Sequence, residues 1–83
     1  MKRNILVVDD EENIREIIKE FLETLGYNVV EASNGEEAIL ALSKTKFNLV
    51  ITDIRMPKMN GLKLLRNIKT YMPSLPVILM TGY

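Results

Sequence analysis

Four residues of this 83-residue chain could do chemistry together: Asp9, Asp10, Asp53 and Thr81. Each stands at or just after the end of a short apolar run: Ile5 to Val8, Leu49 to Ile51, and Val77 to Met80. If those runs are neighbouring strands, their ends converge on one rim, where open α/β sheets place their ligands. Carboxylates about 4 Å apart repel by roughly 4 kcal/mol at an effective dielectric of 20, so such a cluster holds a proton or recruits a cation. An all-oxygen donor set favours a hard ion, Mg²⁺ before Ca²⁺, with several waters kept. A carboxylate beside Mg²⁺ can attack phosphorus, because the metal neutralises the charge that repels an incoming phosphoryl group. The Thr81 hydroxyl could then donate to a phosphoryl oxygen. Taken singly, an aspartate after a strand does no more than start a turn. It is the convergence that carries the reading.

The elements that must bring these residues together are legible in the apolar pattern. Ile5 to Val8 reads as a first buried strand. From Ile14, apolar residues at 14, 17, 18, 21, 22 and 25 fall on one helical face, and Gly26 stops the helix. Tyr27 to Ala32 alternates like an edge strand, and Ser33-Asn34-Gly35-Glu36 fits a turn with a capping box opening a second helix through Leu42. The almost purely apolar run Leu49-Val50-Ile51 suits a strand covered on both faces, and leads into Asp53. Pro57 and Asn60-Gly61 mark a rigid loop, and a third helix follows over Leu62, Leu64, Leu65 and Ile68, ending before Pro73. Val77 to Met80 is a fourth strand that delivers Thr81-Gly82 to the common rim. The order β-α-β-α-β-α-β implies right-handed crossovers and a parallel sheet within a single domain spanning residues 1–83.

Composition removes several classes of function. The chain has no cysteine and no histidine, which excludes disulfides, thiol catalysis, a Ser-His-Asp triad and imidazole or thiolate metal ligands. No apolar run approaches the roughly 18 residues of a spanning helix, and the run after Met1-Lys2-Arg3 is too short for a signal peptide. A cytoplasmic protein with no membrane contact is expected. Net charge is zero, yet residues 1–37 hold ten acids against four bases, and residues 38–83 hold seven bases against Asp53 alone. The basic half lacks interleaved aromatics and the acidic half repels phosphate, so direct nucleic-acid binding is not expected. Solvated helix faces of different sign, or complementary surfaces within one molecule or between two, both account for the segregation.

Read together, VVDDEENIR, the helix ending at LGY, ASNGEEAI, VITDIRMPKMNG and PVILMTGY resemble the receiver domain of bacterial two-component response regulators. The wording of the last two segments is most similar to receivers of the nitrogen-regulator class that precede AAA+ transcriptional activators. The resemblance spans all 83 residues. It implies a flavodoxin-like, CheY-like α/β fold in three layers with strand order 2-1-3-4. It implies that Asp53 is the phosphoacceptor, that Asp9, Asp10, Asp53 and the Arg55 carbonyl hold Mg²⁺, that Thr81 is the switch hydroxyl, and that Pro57 and Gly61 shape the loop. The implied partner is a sensor histidine kinase, docking at the acidic first helix.

The family pattern continues with a helix, a strand carrying a lysine at its end, and a further helix, and nothing here matches them; Lys58 stands elsewhere. The expectation is a receiver truncated after its fourth strand, lacking the last helix-strand-helix, with phosphoryl acceptance impaired by the loss of that lysine. A dimer through the exposed edge Val77 to Met80 or through a bare sheet face is expected to follow. The alternative is a self-associating fragment with a structural role and no signalling. An aspartate-nucleophile hydrolase resembling the haloacid dehalogenase family fits less well, because such enzymes carry a second Asp two residues after the nucleophile, where this chain has Arg55.

Overall fold

The structure, a computed structural model, describes residues 2–57 and 59–81. Lys58 and Gly82 lie outside the described residues, so the expectations placed on them are not addressed. The elements follow the predicted order: β1 Asn4–Val8, α1 Glu12–Thr24, β2 Asn28–Ala32, α2 Gly35–Lys44, β3 Leu49–Asp53, α3 Gly61–Tyr71 and β4 Val77–Met80. All strand pairs are parallel and the sheet order is β2-β1-β3-β4.

One face of the sheet is closed by α2 and α3. Leu6, Val8, Val50, Ala38, Leu64 and Ile68 make a core there, and Ala32 and Leu75 complete it. Both helices begin as their sequence dictates. Asn34 caps α2 by accepting from the Glu37 N–H, and Asn60 caps α3 by accepting from the Lys63 N–H, each at 2.8 Å. The predicted capping box is present in a shifted form: the Glu37 carboxylate reaches back to the backbone and hydroxyl of Ser33, both at 2.8 Å.

The other face carries α1 and keeps apolar surface exposed, in line with the bare sheet face expected above. The apolar positions 14, 17, 18, 21, 22 and 25 share one helical face, yet no residue of α1 is buried. Ile18 and Leu22 are half-buried against the sheet, whereas Ile14, Ile17, Phe21 and Leu25 stand exposed. The helix packs on β1 and β2, and Arg15 and Lys19 on the β2 flank both reach Glu31 of β2, at 3.0 and 3.4 Å. β3 is accordingly not covered on both faces. Val50 and Thr52 are buried beneath α2 and α3, while Leu49 and Ile51 on the α1 side keep partial exposure. Ile78 of β4 is half exposed on the same side. At the far end of α1, Gly26 takes a φ of +96° and its N–H closes on the Glu23 carbonyl, the left-handed stop expected of glycine.

Candidate functional site

The strand register assembles the site. Val8 pairs with Thr52, so Asp9 and Asp53, each the next residue along its strand, become neighbours at the C-terminal rim. Asp53 in turn pairs with Met80, and the Ile54 N–H donates to the Met80 carbonyl at 3.1 Å. Thr81 is thereby carried to the same rim. Asp9, Asp10, Asp53, Arg55 and Thr81 all line one cleft of about 550 Å³, with Glu11, Ile14 and Met80 filling its walls. The five residues assigned to metal or phosphoryl chemistry from the sequence thus line one cleft.

The three carboxylates offer oxygen atoms that all lie within 4.8 Å of one another. They differ in environment: Asp9 is buried, Asp53 partly buried and Asp10 exposed. Burial pushes the Asp9 carboxyl above the ordinary aspartate range; the Glu11 N–H bonded to it at 2.9 Å opposes this, and the negative charges of Asp53, Asp10 and Glu11 add to the rise. The Asp53 carboxylate accepts a hydrogen bond of 3.3 Å from the Arg55 N–H, which folds the chain back at the start of the loop. This is a set of hard, anionic oxygens gathered at one rim. The donor set suits a small divalent cation bound by oxygen.

Three neighbours were not picked out from the sequence as part of the site. Arg15, on the first turns of α1, donates from its guanidinium to the Asp9 carbonyl at 2.8 Å while pairing with Glu31. It fixes the β1 to α1 connection from below. Thr52 is fully buried, its hydroxyl donating to the Asp53 carbonyl at 3.1 Å and lying 3.9 Å from the Met56 sulfur. Met59 is seated between α2 and α3, with the Asn67 amide 3.7 Å from its sulfur. None of the three carries a spacing signal that links it to an aspartate elsewhere in the chain. Gly61, read as a loop-shaping residue, has a clear reason to be glycine. A Cβ there would run into the Asp53 carbonyl oxygen, with the Ile54 Cα at 2.8 Å, because the Gly61 N–H closes the loop onto the Ile54 carbonyl at 2.8 Å.

Residues 5–83 match the model of the response regulator receiver domain family. The chain is 44% identical over 80 residues to the transcriptional regulatory protein ZraR of Klebsiella oxytoca, covering 96% of this chain and 18% of that protein. It is also 44% identical over 83 residues to the transcriptional regulatory protein CrdR of Helicobacter pylori, covering 99% of this chain and 39% of that protein. The chain therefore spans well under half the length of these curated relatives. Among solved structures, the response regulator TrrA of Thermotoga maritima, in complex with Mg²⁺ and BeF, superposes with a TM-score of 0.94 at 46% identity, covering all of this chain and 71% of that one. A response regulator receiver protein from Pseudomonas putida gives 0.94 at 36% identity, covering all of this chain and 70% of that one. With the parallel order β2-β1-β3-β4 and an acidic rim already in hand, these matches place the chain in the response regulator receiver domain family.

Proposed function

We propose that this chain, as a single domain, accepts a phosphoryl group on Asp53 from the phosphohistidine of a sensor histidine kinase, in the cytoplasm, as the input step of a two-component pathway. The observation that carries this reading is the meeting of Asp9, Asp10 and Asp53 within 4.8 Å on the rim that also receives Thr81. The Asp53 carboxylate oxygen attacks phosphorus, the phosphorus–nitrogen bond of the donor breaks, and the imidazole leaves with the electron pair. An acyl phosphate remains on Asp53. Asp9, Asp10, Asp53 and the Arg55 carbonyl would hold Mg²⁺ for this step. The ion, when bound, offsets the repulsion between the carboxylates and the incoming phosphoryl group. Thr81 donates to a phosphoryl oxygen, and the acidic outer face of α1 offers Glu12, Glu16, Glu20 and Glu23 to a kinase. That TrrA was solved with Mg²⁺ and BeF supports the same donor set here.

Incubation with a small-molecule acyl phosphate and Mg²⁺, followed by intact mass spectrometry, tests the reading. The expected result is slow addition of one phosphoryl group, lost in Asp53→Asn and reversed by hydroxylamine. Addition that persists in Asp53→Asn would overturn the assignment.

A second copy of the chain is the proposed occupant of the open α1 side. Ile14, Ile17, Phe21 and Leu25 stand beside half-exposed Ile78 there, an apolar strip of the kind that soluble monomers rarely leave uncovered. The 83-residue chain alone in solution has only itself to cover it, and two-fold pairing is the commonest closed solution. Light scattering at micromolar concentration should report a dimer, and Phe21→Glu should return it to monomer. A well-folded monomer of the parent chain excludes the pairing.

A further inference from the structure

The β3 to α3 loop is pinned at both of its ends, and its outer end rests on a glycine of another element. At the inner end, the Ile54 N–H is bonded to Met80 and the Ile54 carbonyl to the Gly61 N–H. At the outer end, Met59 lies against Gly35, the first residue of α2, so closely that a Cβ on Gly35 would stand 2.7 Å from the Met59 Cβ and 2.9 Å from both its Cγ and its sulfur. The fit is not one that a flexible side chain can relieve. The nearest atom is the Cβ itself, one bond from the loop backbone, and the sulfur beyond it is held beside the Asn67 amide and against the core. Any group added at position 35 must therefore displace the loop backbone or α2.

We propose that Gly35 and Met59 form a positioning pair: the missing side chain at 35 sets the seat of the loop, and the seat sets where the Arg55 backbone stands relative to Asp53. This rests on the proposed metal-binding role of Asp53 and its neighbours and extends it to two residues that do not line the cleft. The Met59 N–H is bonded to the Pro57 carbonyl at 2.8 Å and the Arg55 N–H to the Asp53 carboxylate, and these bonds are the route by which a shift of a few tenths of an ångström at Met59 would reach the donor atoms. Mg²⁺ tolerates such shifts poorly, because it demands near-ideal octahedral geometry at short distances. The joint also makes the first turn of α2 a place from which the acceptor loop can be moved.

A double-mutant cycle tests the pair, with Mg²⁺ as the probe and amide chemical shifts of the 83-residue chain as the readout at a temperature where each variant is folded. Gly35→Ala should raise the Mg²⁺ dissociation constant about ten-fold, the scale on which disturbed supports of metal ligands act. In a Met59→Gly background, which removes the three atoms nearest to a Cβ at position 35, the same Gly35→Ala change should alter the constant by less than about two-fold. A Gly35→Ala single variant that fails to fold while the double variant folds reports the same steric pairing. Unchanged Mg²⁺ affinity in folded Gly35→Ala overturns the proposal, as does an equal loss in both backgrounds. If the parent chain binds no Mg²⁺, the failure belongs to the proposed function. The pairing is then read from the Arg55 and Asn60 amide resonances, which Gly35→Ala must move in the parent and leave in place in the Met59→Gly background.

Discussion

The Asp9 carbonyl accepts a 2.8 Å hydrogen bond from the guanidinium of Arg15, which at the same time pairs with Glu31 at 3.0 Å. One side chain thus ties the end of β1, the start of α1 and the edge strand β2. Its side chain is only 15% exposed, so these bonds are shielded from competing water more than a surface pair would be. Arg15→Ala should cost about 1–2 kcal/mol, the range of a hydrogen bond to a charged partner plus lost packing. Arg15→Lys should recover only part of this, because an ammonium lacks the planar fork that serves two acceptors. Urea unfolding of the three proteins measures both, and full recovery in the lysine variant would contradict the two-acceptor account.

The carboxylate cluster predicts a graded response to Mg²⁺. Asp53→Asn and Asp10→Ala should each weaken binding more than ten-fold, since a site that keeps most of the ion's waters has few protein oxygens to lose. Titration followed by amide chemical shifts at Asp9 to Glu11 and at Arg55 checks this. Shifts of unchanged midpoint in both variants would sink the assignment.

Asp9 makes the stability of the metal-free chain depend on pH in a direction opposite to that of a salt-bridged carboxylate. Its folded-state pKa is raised by burial and by its acidic neighbours. Below the ordinary aspartate value both folded and unfolded states carry the proton, and the site costs nothing. As pH rises from there through the folded value, the unfolded chain gives up its proton first, so stability falls and stays lowered above it. Asp9→Asn removes that loss while keeping an oxygen to accept from the Glu11 N–H. In chelator, the variant should be more stable than the parent at pH 7, and the gap should close at about pH 3, below the unperturbed aspartate range. A gap independent of pH would show that ionisation of Asp9 is not its cause.

The order of elements and the rim residues could be read in advance because each rests on a local signal. Apolar runs marked the strands, Ser33-Asn34-Gly35-Glu36 the start of α2, and the parallel register then had little freedom in where it placed Asp9, Asp53 and Thr81; that Asn60, read as part of a loop, caps α3 emerged only from the structure. Which part of the α1 apolar face meets the sheet was hidden. Periodicity marks an apolar face but not how much of it is covered, and the Arg15 to Glu31 pair, sixteen residues apart, leaves no periodic trace. Thr52 and Met59 were hidden for a related reason: both act through contacts made only after β3, α2 and α3 have packed.

The chain's glycines separate two causes of glycine dependence, and the contrast can be measured. Gly26 has a positive φ of 96° but open space around its missing side chain, so Gly26→Ala meets only backbone strain. That strain is worth about 1–2 kcal/mol. At Gly61 the dihedral is ordinary for a helix start, yet an added Cβ would strike the carbonyl of Asp53 and the Cα of Ile54, both backbone atoms of the strand end that carries the acceptor. Neither can rotate away. Gly61→Ala must therefore move either α3 or the end of β3, and overpacking of this kind costs about 3 kcal/mol. The two substitutions should also differ in what they disturb: Gly26→Ala lowers stability and leaves the Mg²⁺ titration of the rim unchanged, while Gly61→Ala lowers stability further and weakens Mg²⁺ binding in whatever fraction stays folded. Thermal unfolding with and without Mg²⁺ resolves them, because ligand-linked stabilisation scales with affinity. Equal Mg²⁺-induced stabilisation of both variants would mean that Gly61 serves the fold alone.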